Sequence, residues 1–387
     1  MDLSFYFKPL DATVFGEYEN RKTVLGNVIT KFTSAENFPD VTNSQLAIIG
    51  IPEERGAINN KGCSEAPDKI RQKFYELKSA KYPYKIVDLG NLIIGEKVTD
   101  TYAAVSSIIS ELLREKVIPI ILGGSQDITY AQYTAYHKIE ETVNIVAVDS
   151  YFDLGTTEEP LSSNTYLGKV ILHEPNFLFN FSNIGYQTYF AGYDQIDLME
   201  KLYFDAYRLG EVRKDIEEVE PIVRNADIVS FDVGAIRQSD APGNRNATPN
   251  GFYGEEACRI VRYAGLSDKL SSIGFYEINP TCDVRDQTSH LAAQMLWYFI
   301  EGFYQRKKDV PMVNKNDYIK YRVNLKHDEH EIVFFKSKKS ERWWMEVPVA
   351  KTKFQRHNLI PCSYKDYESA CREEMPERWW QALQKTN

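Results

Sequence analysis

Val117-Ile-Pro-Ile-Ile-Leu-Gly-Gly-Ser-Gln-Asp127 runs six apolar residues into a glycine pair and then three polar side chains. An unbroken apolar run of that length suits a strand covered on both faces, as parallel sheets require. Two stretches downstream repeat the pattern. Asn144-Ile-Val-Ala-Val-Asp149 leads into Ser150-Tyr-Phe-Asp153, and Asp227-Ile-Val-Ser-Phe-Asp232 leads into Val233-Gly234. Further short runs lie at Leu46–Ile51, Lys85–Leu89, Thr188–Gly192 and Ser272–Glu277. Between them, Tyr102–Lys116 and Gly254–Gly265 carry apolar residues at i, i+3, i+4 spacing, the mark of a helix with one buried stripe. Alternating strands and helices predict a doubly wound, three-layer α/β domain around a parallel sheet. Ligands of such sheets sit at the carboxyl ends of the strands. The turns after Leu122, Asp149 and Asp232 are therefore where chemistry is expected.

The pattern stops near Gly302, which divides the chain into a body at 1–305 and a C-terminal extension at 306–387. The extension holds 18 Lys+Arg against 12 Asp+Glu, while the body holds 28 against 43. A basic tail could therefore lie against the acidic body or against a neighbour, and chance clustering of surface charge accounts for the counts equally well. Within the tail, Tyr321-Arg-Val-Asn-Leu325 and Glu331-Ile-Val-Phe-Phe335 read as a β-hairpin around the polar turn at His327 and His330. Ser363 and Asp366 have capping-box spacing for a final helix. Glu-Arg-Trp-Trp occurs twice, placing Trp343, Trp344, Trp379 and Trp380 in the tail. Trp and Arg are enriched at interface hot spots, so these tryptophans are candidates for a protein interface. Docking of the tail on the body is the favoured reading.

The overall charge of −9 over 387 residues argues against nucleic acid as the main ligand, since phosphate binding needs a basic surface. The 25 Tyr and 13% aromatic content favour a protein with partners. No apolar run reaches the roughly 18 residues of a membrane span, and the N-terminus lacks the pattern of a secretory signal. Cys63, Cys258, Cys282, Cys362 and Cys371 form no CxxC pair, which reads as reduced thiols in a cytoplasmic protein.

Several stretches taken together resemble the ureohydrolase family of arginases, agmatinases and formiminoglutamases. They are Gly50-Ile-Pro-Glu-Glu-Arg-Gly56, Glu65-Ala-Pro-Asp-Lys-Ile-Arg71, Asp88-Leu-Gly-Asn91, Asp240-Ala-Pro-Gly243 and Glu277-Ile-Asn-Pro280, with the three strand-end loops quoted above. The resemblance covers about Leu46 to Pro280, and Ser-Asp-Ala-Pro-Gly leans toward the formiminoglutamase branch. It implies hydrolysis of a guanidino or formimino C–N bond by a hydroxide shared between two manganese ions.

Carried over residue by residue, the first metal site would be Gln126, Asp149, Asp153 and Asp232, with Gln126 where the family has His. The second would be Tyr151, Asp149, Asp232 and Gly234, with Tyr151 in place of His and Gly234 in place of Asp. A phenol and a hydrogen atom are poor ligands, so the second site is expected to be lost. Two expectations follow. The leading one is a catalytically impaired relative that needs no cofactor and acts by binding a protein or small ligand, with Arg237 supplying counter-charge to the carboxylates. The alternative is a hydrolase retaining one manganese or magnesium ion on Gln126, Asp149, Asp153 and Asp232. Glu277 would face the substrate by resemblance, or else solvate its own loop; no other residue stands out as catalytic. None of His137, His173, His290, His327, His330 and His357 falls in a metal loop. The family's trimers and hexamers make a homo-oligomer the expected assembly.

Overall fold

The computed structural model describes residues 1–15, 23–309, 315–325, 330–349 and 356–386. Eight strands of the body align in parallel: β1 (Leu46–Ile51), β2 (Ile86–Leu92), β3 (Ile118–Gly123), β4 (Val143–Val148), β5 (Leu178–Tyr186), β6 (Asp205–Arg208), β7 (Ile228–Asp232) and β8 (Ser272–Tyr276). Their order across the sheet is β2-β1-β3-β8-β7-β4-β5-β6, and two short N-terminal strands, Phe7–Lys8 and Thr30–Lys31, both pair with β2. Every residue of β1, β3, β4 and β8 is buried. The unalternating apolar runs are thus explained by helices on both faces, which make three layers.

Two apolar cores sit on opposite sides of the sheet. One packs Ile70 and Phe74 of the helix Ala66–Glu76 with Ile260 and Leu296 from the helices Gly254–Leu266 and Gln287–Tyr304. The other packs Val105 and Ile109 of Val98–Arg114 with Ala131 and Ala135 of Ile128–His137.

One expected strand is misplaced. Thr188–Gly192 forms turns, and the chain pairs instead through β5, just upstream. Asn180, Ser182 and Asn183 give β5 a polar pattern that hides it. They are accommodated because Asn180 and Ser182 donate to Asp205 (2.7 and 2.8 Å) and Asn183 donates to the Tyr151 carbonyl (2.7 Å).

The tail makes a four-stranded antiparallel sheet, with β9 (Tyr318–Leu325), β10 (His330–Ser337), β11 (Trp343–Glu346) and β12 (Leu359–Cys362) in that order. The expected hairpin is β9–β10, and its turn at 326–329 lies outside the described residues. Helices Tyr364–Cys371 and Glu377–Thr386 cover one face. The first begins with the Ser363–Asp366 capping box. Tail cations meet body acids along the seam: Arg342 with Glu220 (3.1 Å), Arg356 with Asp227 (2.8 Å), Arg378 with Glu218 (3.1 Å) and Lys365 with Asp215. Arg224 answers from the body, donating to the carbonyls of Trp343 and Cys362 while its guanidinium lies 4.4 Å over the Trp344 ring. Trp344 is buried against Arg224, Trp343 and Trp379 are buried in the tail's own core, and Trp380 stays 45% exposed. The tail therefore lies on the body, and three of the four candidate interface tryptophans are spent in packing.

Candidate metal centre

Sheet order decides what can meet. Strands β3, β8, β7 and β4 are consecutive neighbours, so the loops at their carboxyl ends bring Gln126, Glu277, Asp232 and Asp149 together although they are up to 151 residues apart. Within this cluster Asp149 and Gln126 are buried, whereas Asp153 and Asp232 are half-buried. Tyr151, at 37% exposure, stands beside them.

The backbone orients these acids. The Tyr151 N–H donates to Asp149 Oδ1 (3.0 Å) and the Gly234 N–H to Asp232 Oδ1 (2.6 Å). Asp153 and Glu277 hold positive φ angles of 52° and 63°, a conformation that costs a non-glycine residue energy and is tolerated where side-chain placement requires it. Glu277 is buried, and both its oxygens are taken: Oε1 by the Gln126 N–H (2.9 Å), Oε2 by Asn60 Nδ2 (2.7 Å).

Electrostatically the cluster is crowded with like charge. Burial drives Asp153 well above the usual carboxylate range, and the neighbouring Asp149 and Asp232 add to it. Asp232 is raised in the same way, by burial and then by Asp149 and Glu277. Burial raises Asp149 too, against hydrogen bonds from Tyr151, Asp153 and Gln126. Burial is also the main cause that lifts Glu277 to about 7. A desolvated carboxylate without a counter-charge favours its neutral form. The expected counter-charge from Arg237 is not delivered. Its guanidinium pairs with Asp240 (2.8 Å) and lies 4.0 Å over Tyr253, along a separate groove of about 850 Å³ lined also by Cys258, His290 and Tyr298.

Two buried oxygens in this cluster accept no hydrogen bond: Gln126 Oε1 and Asp149 Oδ2. The amide nitrogen of Gln126 is within reach of Tyr166 Oη (3.4 Å) and Ser230 Oγ (3.3 Å). Among the described residues, His, Cys, Asp and Glu alone nowhere form a group of three that could hold a metal ion. Oxygen-only donors with excess negative charge fit one hard cation. Burial and the three aspartates raise the Tyr151 phenol, which keeps its proton at neutral pH. At Gly234 the surroundings have closed in: a Cβ would lie 3.0 Å from Asp232 Oδ1 and 3.3 Å from Asn244 Nδ2.

Sequence reasoning missed Asn60, Tyr166 and Asp127. Asp127 is buried and accepts from Tyr102 Oη at Oδ2, while its Oδ1 has no partner. Its place beside Gln126 in the strand-end loop was the available signal.

The model of the arginase family matches residues 44–301. A formimidoylglutamase of Staphylococcus haemolyticus (strain JCSC1435) is 26% identical over 283 residues, covering 70% of this chain and 90% of that protein. The crystal structure of formimidoylglutamase from Bacillus subtilis subsp. subtilis str. 168 superposes with a TM-score of 0.68 at 22% identity, over 77% of this chain and 97% of that one. A Trypanosoma cruzi formiminoglutamase structure with Mn2+ gives 0.64 at 22% identity, over 69% and 96%. The expectation that no cofactor is involved is thereby overturned, because a structural relative carries manganese. The partnerless oxygens of Gln126 and Asp149 supply the physical reason that the sequence alone did not reveal. No helix among the described residues is long and apolar enough to cross a membrane.

Proposed function

We propose that this chain, which belongs to the arginase family, is a manganese-dependent hydrolase of a formimino or guanidino C–N bond that works with one ion rather than two. The observation that carries this reading is the cation-hungry cluster: three aspartates raised by burial, Asp153 and Asp232 also by neighbouring carboxylates, beside two buried oxygens without partners. Gln126, Asp149, Asp153 and Asp232 would hold the ion. A bound manganese ion supplies Lewis acidity, which polarises the scissile carbon and acidifies water. Glu277 fastens the Gln126 loop to Asn60 and keeps negative charge where a cationic substrate head would rest. The main support from relatives is that curated proteins similar in sequence are named formimidoylglutamases. Nothing in the comparisons supports catalytic impairment. Residues 306–387 are read as an appendage of the body at 1–305, with Trp380 the one tandem tryptophan left for a partner.

The test is turnover. Purified protein with saturating Mn2+ should release formamide or urea from a panel of formimino and guanidino substrates, and Asp153→Ala should abolish it. No release from any member, with bound manganese verified, would overturn the reading.

A further inference from the structure

An aromatic wall stands beside the carboxylates. The Tyr151 ring stacks on Phe190 at 4.5 Å and 17°, and Tyr189 meets Phe190 edge-on at 4.6 Å and 77°. Tyr189 is 63% exposed. A lone exposed aromatic carries no message, but three in contact beside a carboxylate cluster form an apolar patch that calls for an occupant.

The wall is held in place. Tyr189 Oη donates to Gln187 Oε1. Gln187 Nε2 donates to Ser150 Oγ (3.0 Å) and to the Asn250 carbonyl (3.3 Å). Asn183 Nδ2 donates to the Tyr151 carbonyl (2.7 Å). Rings fixed by the loops after β4 and β5 offer contact area at little entropic cost. One end of the wall also meets the carboxylates, because the Tyr151 N–H donates to Asp149 Oδ1 (3.0 Å). Anything lying along the wall therefore meets π faces on its side and the aspartates, ionised once a cation is bound, at its base. A cationic head is drawn to both, a flat apolar neighbour stacks on the rings, and a carboxylate neighbour is repelled by the aspartates.

We propose that Tyr151, Phe190 and Tyr189 are specificity-determining residues that select an amidinium or guanidinium substrate bearing a flat, apolar substituent over one bearing a carboxylate. This rests on the reading of the site given above.

Calorimetric titration of the full chain, with Mn2+ present, against benzamidine, acetamidine and guanidinoacetate tests it. Benzamidine should bind about three- to tenfold more tightly than acetamidine, with guanidinoacetate weakest. The aryl preference should vanish in Phe190→Leu and in Tyr189→Ala and return in Tyr189→Phe. Tyr189 is exposed, so that pair of variants keeps the test readable should Phe190→Leu fail to fold. Equal affinity for the two amidines, no binding of either, tighter binding of guanidinoacetate, or an unchanged preference in the variants would overturn the proposal. The two readings fail separately. An inactive chain that still prefers benzamidine defeats the hydrolase alone, and an active chain without the preference defeats the wall alone.

Discussion

Asp88, inside β2, and the trio Asp149, Asp153 and Asp232, at the carboxyl ends of β4 and β7, are carboxylates of one sheet, yet their surroundings are opposite. Asp88, fully buried, receives a bidentate guanidinium from Arg71 (2.9 Å on each oxygen) and a hydroxyl from Tyr75 (2.7 Å). Asp227, at the start of β7, is likewise enclosed by Arg356 and Lys269. The trio has no such partners; burial raises all three, and neighbouring carboxylates add to it at Asp153 and Asp232. A fold that supplies side-chain cations to its structural acids and withholds them from three others has kept a place for a cation of another kind.

The largest effect should come from breaking the paired side. Arg71→Met leaves Asp88 buried and uncompensated, and should cost about 3–5 kcal/mol by urea denaturation. A loss below about 1 kcal/mol would mean that burial without a partner is tolerated here, and the contrast would collapse.

Next is the seam, where Lys269 shares Asp227 with Arg356. Burial holds its ammonium down at about 8, against an ordinary 10.5. The folded chain therefore gives up that proton before the unfolded chain does. Its contribution to stability is present above pH 10.5 and lost as pH falls through about 8, by up to about 3 kcal/mol. The difference in stability between wild type and Lys269→Met, followed from pH 7 to 11, should show this rise. A flat difference would mean that Asp227 already neutralises the lysine in full.

The smallest effect is expected on the unpaired side. Asp153→Asn removes one of three repelling groups and should stabilise the Mn2+-free protein by about 1 kcal/mol. It should also erase the increase in melting temperature that Mn2+ gives the wild type. Destabilisation of the Mn2+-free form would show that Asp153 is held by favourable contacts instead.

The sequence made the fold legible wherever strands are buried on both faces, because an unbroken run such as Ile118–Gly123 has few other uses. It failed at β5, where alternating Asn and Ser mimic a loop until Asp205 and the Tyr151 carbonyl are seen to receive them. The doubled Glu-Arg-Trp-Trp shows the same limit. At Glu341–Trp344 its tryptophans open a strand, and at Glu377–Trp380 the same four residues begin a helix. Local composition cannot choose between them, and the packing partners do. Arg224 receives Trp344, while Trp379 donates to the Glu346 carbonyl (2.8 Å). At the strand-end cluster the loops that bring Gln126, Asp149 and Asp232 together were legible in the sequence. The demand for a cation was not, because it depends on which oxygens are left without partners, and Arg237 near in sequence is turned toward Asp240 and Tyr253.

Metal stoichiometry tests the central claim most directly. Protein dialysed against Mn2+ and freed of excess should carry one manganese per chain by elemental analysis, and Asp153→Ala and Gln126→Leu should reduce that figure toward zero. Two ions per chain, or one ion retained at full occupancy in both variants, would contradict it.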